Sequence, residues 1–269
     1  MKIEEELRSI MLDLSKQHGD EEFVIRGLWK TQLFFKPNEN ERTFEYTYLL
    51  VQTVGQGCSY CCGKTFIDRE WIGKDARFLS FDHSCVRIAT LDAIFSVFER
   101  NPFKTHFIDG SSIVKTNLRT KIVIDEVMTL LEDVSARRTP RVVNVGVVGN
   151  FIKFLVDRGV EVNATDLDET LIGRSISGVV VEGGDHTLSR VASSDLALVT
   201  GMTLTNGTFN QIYEVAKESG TKLVMFNETG ANFGEALCKL GVDCVVSEPF
   251  PFYIFQGQSR IDIYRKKLM

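Results

Sequence analysis

The sequence predicts an α/β protein in which a parallel-sheet domain follows a smaller α+β domain. Three observations carry this. From residue 141 onward, short and almost wholly apolar strand-like runs alternate with helix-period segments. That is the pattern of parallel strands covered on both faces. The front of the chain instead reads as helix, strand, strand, helix. Between the two regions lies the polar, basic stretch SARRTPR, whose Pro140 suits the turn before a strand and not a helix interior. The boundary falls near residue 138, giving domains over 1–138 and 139–269.

Ile3, Leu7, Ile10, Met11 and Leu14 line one face of a helix over 3–17. Residues 23–35 and 43–54 are two strands joined through KPNENER, a long-looped hairpin. Aromatic and β-branched residues in TFEYTYLLVQTV support the second strand. Residues 55–63, rich in glycine and cysteine, read as a loop. VRIATLDAIFSVF over 86–98 reads as a buried helix, in which Asp92 needs a partner or a solvent edge. Leu118, Ile122, Val127, Leu130, Leu131 and Val134 mark another helix over 117–134. In the second domain, strands are expected over 141–146, 160–165, 178–181, 195–199, 221–226 and 243–246, and helices over 149–158, 187–193, 206–219 and 231–239.

The chain has 36 acidic and 31 basic residues and a formal charge of -5. A polyanion-binding surface is not the default, so no nucleic-acid partner is expected. The N-terminal segment MKIEEELRSIMLDLSKQHGDEE carries charges throughout and lacks the apolar core of a secretory signal. The apolar run from Val142 to Ile152 is too short to span a bilayer. A soluble, cytoplasmic protein without membrane contact is expected. Its six cysteines are read as reduced thiols, with Cys238 and Cys244 in the core.

The passage VVNVGVVGNFIKFLVDRGVEVNATDLD is the most informative for mechanism. A strand ends at Gly146 and a helix starts at Gly149. This is G-x-x-G, without the glycine of the full dinucleotide fingerprint that admits a pyrophosphate. Asp166, at the end of the next strand, is placed to accept two ribose hydroxyls. The turn suits an adenosine-type ligand, such as S-adenosylmethionine, or another small polar molecule. The alternative is purely structural: glycines for a tight turn and an aspartate that caps it.

A second loop follows the strand Leu196–Val199. Thr200, Gly201, Thr203, Asn206, Gly207 and Thr208 crowd into a hydroxyl- and glycine-rich turn ahead of a helix, where free N–H groups favour an anion or carboxylate. Both loops belong at the carboxyl ends of their strands, the edge at which open α/β sheets bind ligands. Glu228, Thr229 and Asn232 form a third edge loop, and Glu248 lies beyond the last strand. With Asp166, these carboxylates are candidate metal ligands.

In the first domain, GQGCSYCCGKTF supplies Cys58, Cys61 and Cys62, and FDHSC supplies His83 and Cys85. Thiolates and imidazole favour zinc, nickel, copper or iron over magnesium. Cys-x-x-Cys also serves thiol exchange, and the same residues suit a buried structural loop.

The stretches NVGVVGNF, NATDLD, SSDLALVTGMTLTNGT, KLVMFNETG and LGVDCVVSEP resemble the Rossmann-like domain of a family described as heavy-metal chelation proteins. The resemblance runs from about Arg141 to Tyr253. It implies a first domain similar to the enolase N-terminal fold, and a cleft between domains that binds a metal or small ligand. By motif position it makes Thr200, Gly201, Thr203, Asn206, Gly207 and Thr208 the shared crevice residues. Three functions follow as expectations: binding of a metal ion or small metal complex, an enzyme using an adenosine-containing cofactor, or a non-catalytic scaffold. The aromatic tail PFPFYIF followed by RIDIYRKK motivates the last, and with it a homodimer.

Overall fold

The computed structural model describes residues 2–36, 43–61 and 67–267. Helix α1 (Ile3–Ser15) leads into an antiparallel sheet of β1 (Gly27–Phe35), β2 (Phe44–Gln52) and β3 (Gln56–Tyr60), with α2 (Ser84–Phe95) behind it. Strand β3 occupies most of the segment expected to be a loop. Its sequence QGCSY has no β-branched residue, and pairing with β2 creates the strand. Gly57 makes the arrangement possible: a Cβ there would lie 2.1 Å from Ala93 N, so only glycine lets β3 lie this close to α2.

The chain continues through β4 (Lys104–Ile108), α3 (Ser112–Leu130) and α4 (Glu132–Ser135). The second domain follows as β5 (Arg141–Val145), α5 (Gly149–Asp157), β6 (Glu161–Asp166), β7 (Ser175–Ile176), β8 (Val179–Gly183), α6 (Thr187–Ser193) and β9 (Leu196–Thr200). It closes with α7 (Met202–Asn206), α8 (Phe209–Ser219), β10 (Lys222–Asn227), α9 (Gly234–Leu240), β11 (Cys244–Ser247) and β12 (Ser259–Arg265). The large sheet has the order β4-β12-β11-β10-β9-β5-β6-β8-β7. Strands β8, β6, β5, β9, β10 and β11 are mutually parallel; β12 pairs antiparallel with β11, β4 antiparallel with β12, and β7 antiparallel with β8. A smaller antiparallel-sheet domain thus precedes a Rossmann-like one. Strand β4 precedes residue 138 in the chain and still takes its place in the large sheet.

The period-two alternation of the strands divides the core. Val143, Val145, Ala197, Val199 and Met225 face one side, where they join a cluster containing Ile3, Leu7, Met11, Leu49, Val51 and most of α2. Val142, Leu196, Leu198, Val224 and Val246 face the other, against Val123, Ile124 and Val127 of α3 and Phe151 and Leu155 of α5. The first cluster spans both domains, so they share one core. Helix α2 is buried nearly all round because it is wedged between the small sheet and the second domain. Among the described residues, no helix is long and apolar enough to cross a membrane.

The aromatic tail packs within its own chain. Phe252 is buried against Tyr48, Leu50 and Cys58 on the outer face of the small sheet, with the Phe252 and Tyr48 rings 5.1 Å apart. The charged segment behind it is strand β12, whose Ile261 and Ile263 enter the core.

Candidate functional site

The chain runs from β5 outward through β6 to β8, then returns to β9 on the other side of β5. The strand order therefore reverses between β5 and β9, which places a crevice at their carboxyl ends. The two glycine turns meet there. Val145 pairs with Val199, and a Cβ on Gly146 would lie 2.3 Å from Thr200 Oγ1. Gly146 also has φ +77°, a conformation that disfavours side chains.

The protein's own side chains occupy much of this turn. Asp166 Oδ2 accepts the Val147 N–H at 2.7 Å, and its Oδ1 accepts the Asp168 N–H at 2.9 Å. Asn144 Oδ1 accepts the Val148 N–H at 3.0 Å. Asp166 thus caps the turn, the structural role open to it from the sequence. Gly149 has only ordinary contacts at its Cβ position, with Ile176 at 3.7 Å.

The second loop is more helical than its composition suggests. Met202–Asn206 form α7, so α8 begins at Phe209. Thr203 and Thr205 donate back to Thr200 O and Met202 O, and Asn206 Oδ1 accepts from the N–H and the hydroxyl of Thr208. These hydroxyls serve local backbone bonds. Gly201 allows a close approach to the loop after β10: a Cβ would be 2.6 Å from Thr229 O. Gly207 ends α7 with φ +81° and nothing near it. Among the described residues, Thr200 Oγ1 and Asn227 Oδ1 are buried and find no hydrogen-bond partner, two polar atoms on the ends of adjacent strands.

The densest charge lies one strand further along. Glu228 follows β10 and Glu248 follows β11, and both meet Arg119 of α3. Arg119 Nη1 donates to Glu228 Oε1 at 2.6 Å and to Glu248 Oε2 at 3.2 Å. Its guanidinium lies 3.7 Å from the Tyr253 ring centroid and 5.0 Å from that of Phe226. The first domain reaches the same point: the Tyr48 hydroxyl donates to Glu228 Oε2 at 3.5 Å. The Tyr60 N–H also bonds Thr229 Oγ1 at 2.9 Å. Glu248 is fully buried, whereas the Glu228 side chain keeps 20% of its surface exposed. Burial pushes both carboxyls above their ordinary range, with Arg119 opposing. Burial likewise raises Tyr48, and the Glu228 charge adds to it. One guanidinium thus serves two carboxylates, and the cluster holds either a shared proton or unneutralised negative charge.

The thiols disperse. An odd spacing within an extended segment points Cys58 and Cys61 to opposite faces. Cys58 joins the aromatic cluster under the tail, and Cys61 joins the core beside Cys85. His83 precedes α2 and is exposed, and Cys62 lies outside the described residues. Burial raises the Cys58 thiol well above its ordinary value, and the charges of Asp92 and Glu228 add to this. Among the described residues, no group of three His, Cys, Asp or Glu side chains is placed to hold a metal ion. Of the two carboxylates only Glu228 is reachable, and one carboxylate falls far short of a metal's coordination shell.

Of these participants, Glu228 and Glu248 were legible from their positions at strand ends. Arg119, Tyr48 and Tyr253 carried no such signal. Arg119 is distant in sequence from both partners, and Tyr48 looks like an ordinary strand aromatic.

Residues 131–247 match a family model, DUF364, described as "Putative heavy-metal chelation". Among curated proteins, none matches the chain. A DUF364 protein of unknown function from Pyrococcus horikoshii has a similar crystal structure, with 12% identity over 98% of this chain and 99% of that one and a TM-score of 0.56. Another, from Desulfitobacterium hafniense, has 10% identity over 96% and 98% and a TM-score of 0.59. At such identities the likeness is one of fold, and it extends through both domains. Residues 131–247 are thus similar to DUF364 in sequence, and the whole chain shares its fold with two DUF364 proteins.

Proposed function

We propose that the protein binds a metal ion held in a small complex, in the crevice where Tyr48 of the first domain meets Glu228 and Glu248 of the second. One observation carries the reading: two carboxylates and the Tyr253 ring meet a single arginine, and one carboxylate, Glu228, is still reachable and also meets the Tyr48 phenol. Glu228 is the residue that would contact the metal, and Arg119 and Glu248 position it. The oxygen donors favour a metal whose remaining ligands arrive with it. The thiol set Cys58, Cys61, Cys62, His83 and Cys85 is the rival site. Cys58 lies in one cluster, Cys61 and Cys85 in another, and His83 is exposed, which favours the carboxylates.

Equilibrium dialysis of chelator-treated protein tests this against zinc, nickel, copper and iron, each as the simple salt and as the citrate complex. Binding should favour the complexed form and be lost in Glu228→Gln. Equal binding by wild type and Glu228→Gln, or none to any form, contradicts the reading.

An adenosine-type cofactor is less well supported. Asp166, the residue such a ligand needs, already accepts two backbone N–H groups.

A further inference from the structure

A cavity of about 330 Å³ is lined by residues of both domains and by the Pro249–Pro251 segment. That volume is at the small end of the range for organic ligands. Arg100, beyond the end of α2, and Arg260, on β12, both line it, together with Gln56, Asn232, Gln258 and Phe250. No carboxylate is among its lining residues.

Each arginine is held in place with most of its fork unused. Arg100 Nη1 donates to Asn232 Oδ1 at 2.5 Å. Arg260 Nε donates to Asp262 at 2.9 Å. The buried Asp262 offsets part of one positive charge, whereas the partner of Arg100 is a neutral amide. No other hydrogen bond of either guanidinium is made to the described residues. Neither arginine is needed to neutralise the Glu228 cluster, which has Arg119.

From this we infer that the cavity is a binding site for the oxyanion group of a small organic molecule, a phosphate or a carboxylate. A planar fork with paired N–H donors matches the two oxygens of such a group, and two forks from different domains hold it from two sides. The amides of Gln56 and Gln258 supply further polar contacts, and Phe250 supplies an apolar wall. Because Gln56 and Arg100 come from the first domain and Arg260 from the second, the ligand bridges the domains. This site does not depend on the metal reading.

Calorimetric titration of the full chain, freed of metal, tests the inference with inorganic phosphate and separately with succinate, at constant ionic strength set by chloride. At least one probe should bind at a single site, and the stronger of the two identifies the group. Arg260→Gln, at a position that is partly exposed, should weaken binding by about tenfold or more. Arg158→Gln, in an exposed pair with Asp125, should leave it unchanged. Glu228→Gln should also leave it unchanged, which separates this site from the metal site. The inference is overturned if neither probe binds above the chloride background, or if folded Arg260→Gln binds as wild type does.

Discussion

Asp92 of α2 ties the two domains together by accepting the Asn232 N–H through Oδ1 at 2.7 Å and the Cys58 N–H through Oδ2 at 2.8 Å. The aspartate that looked out of place in an apolar helix thus satisfies two backbone donors, one from each domain. Asn232 returns the contact through its amide, to Gln56 O at 3.0 Å and Asp92 O at 3.3 Å.

Burial pushes the Asp92 carboxyl up to about 7, against the pull of the two N–H groups and Arg100. Its folded pKa lies above its unfolded value, so the folded state binds the extra proton between roughly pH 4 and pH 7. The contribution of this group is fully present below that window and is lost as pH rises through it. Asp92→Asn has no such titration. It also turns one acceptor into a donor facing an N–H, at a cost of about 1–3 kcal/mol. Urea denaturation of both proteins across this range checks the point. The wild-type advantage should shrink as pH rises, and a constant difference rejects it.

Removing Arg119 should be severe. Arg119→Met leaves the fully buried Glu248 without its cation, and should destabilise by about 3–5 kcal/mol. Adding Glu248→Gln should recover a good part of that loss. Equal stability of the single and double variants in urea contradicts the pairing.

Two glycines with similar backbone angles should respond differently to alanine. At Gly207, with φ +81° and open space, alanine meets only the left-handed penalty of about 1–2 kcal/mol. At Gly146 the added methyl must also displace the Thr200 hydroxyl, 2.3 Å away. The melting temperature of Gly146→Ala should therefore fall further. Equal shifts indicate that the two strand-end turns do not touch.

The described thiols should be inert. Cys58, Cys61, Cys85, Cys238 and Cys244 are all buried, and burial raises Cys238 to about 12. Alkylation of the native protein followed by peptide mass spectrometry should leave these five unmodified until denaturant is added. Prompt labelling of Cys58 or Cys61 revives the thiol site.

The second domain was legible because each parallel strand is a short apolar run between turn residues, and its observed limits fall close to the expected ones. Strands β3 and β12 were not. The sequence of β3 has no β-branched residue and carries a glycine, and β12 hides Ile261 and Ile263 between charged neighbours that resemble a solvated tail. Cys58 and Cys61, expected together in a loop, lie on extended backbone that separates them. Glu228 and Glu248 stood out because the carboxyl edge of a parallel sheet collects functional groups. Their arginine comes from a helix facing that edge, which only the packing of α3 reveals. The aromatic tail, a candidate for a dimer contact, packs on the first domain of its own chain.

The most direct test is native mass spectrometry of protein purified gently, without added metal or chelator. Wild type should carry a metal-containing small species that mild denaturation releases. Glu228→Gln should lose it, and Cys58→Ser with Cys61→Ser should keep it. A wild-type protein free of metal, or loss caused by the serine substitutions and not by Glu228→Gln, contradicts the account.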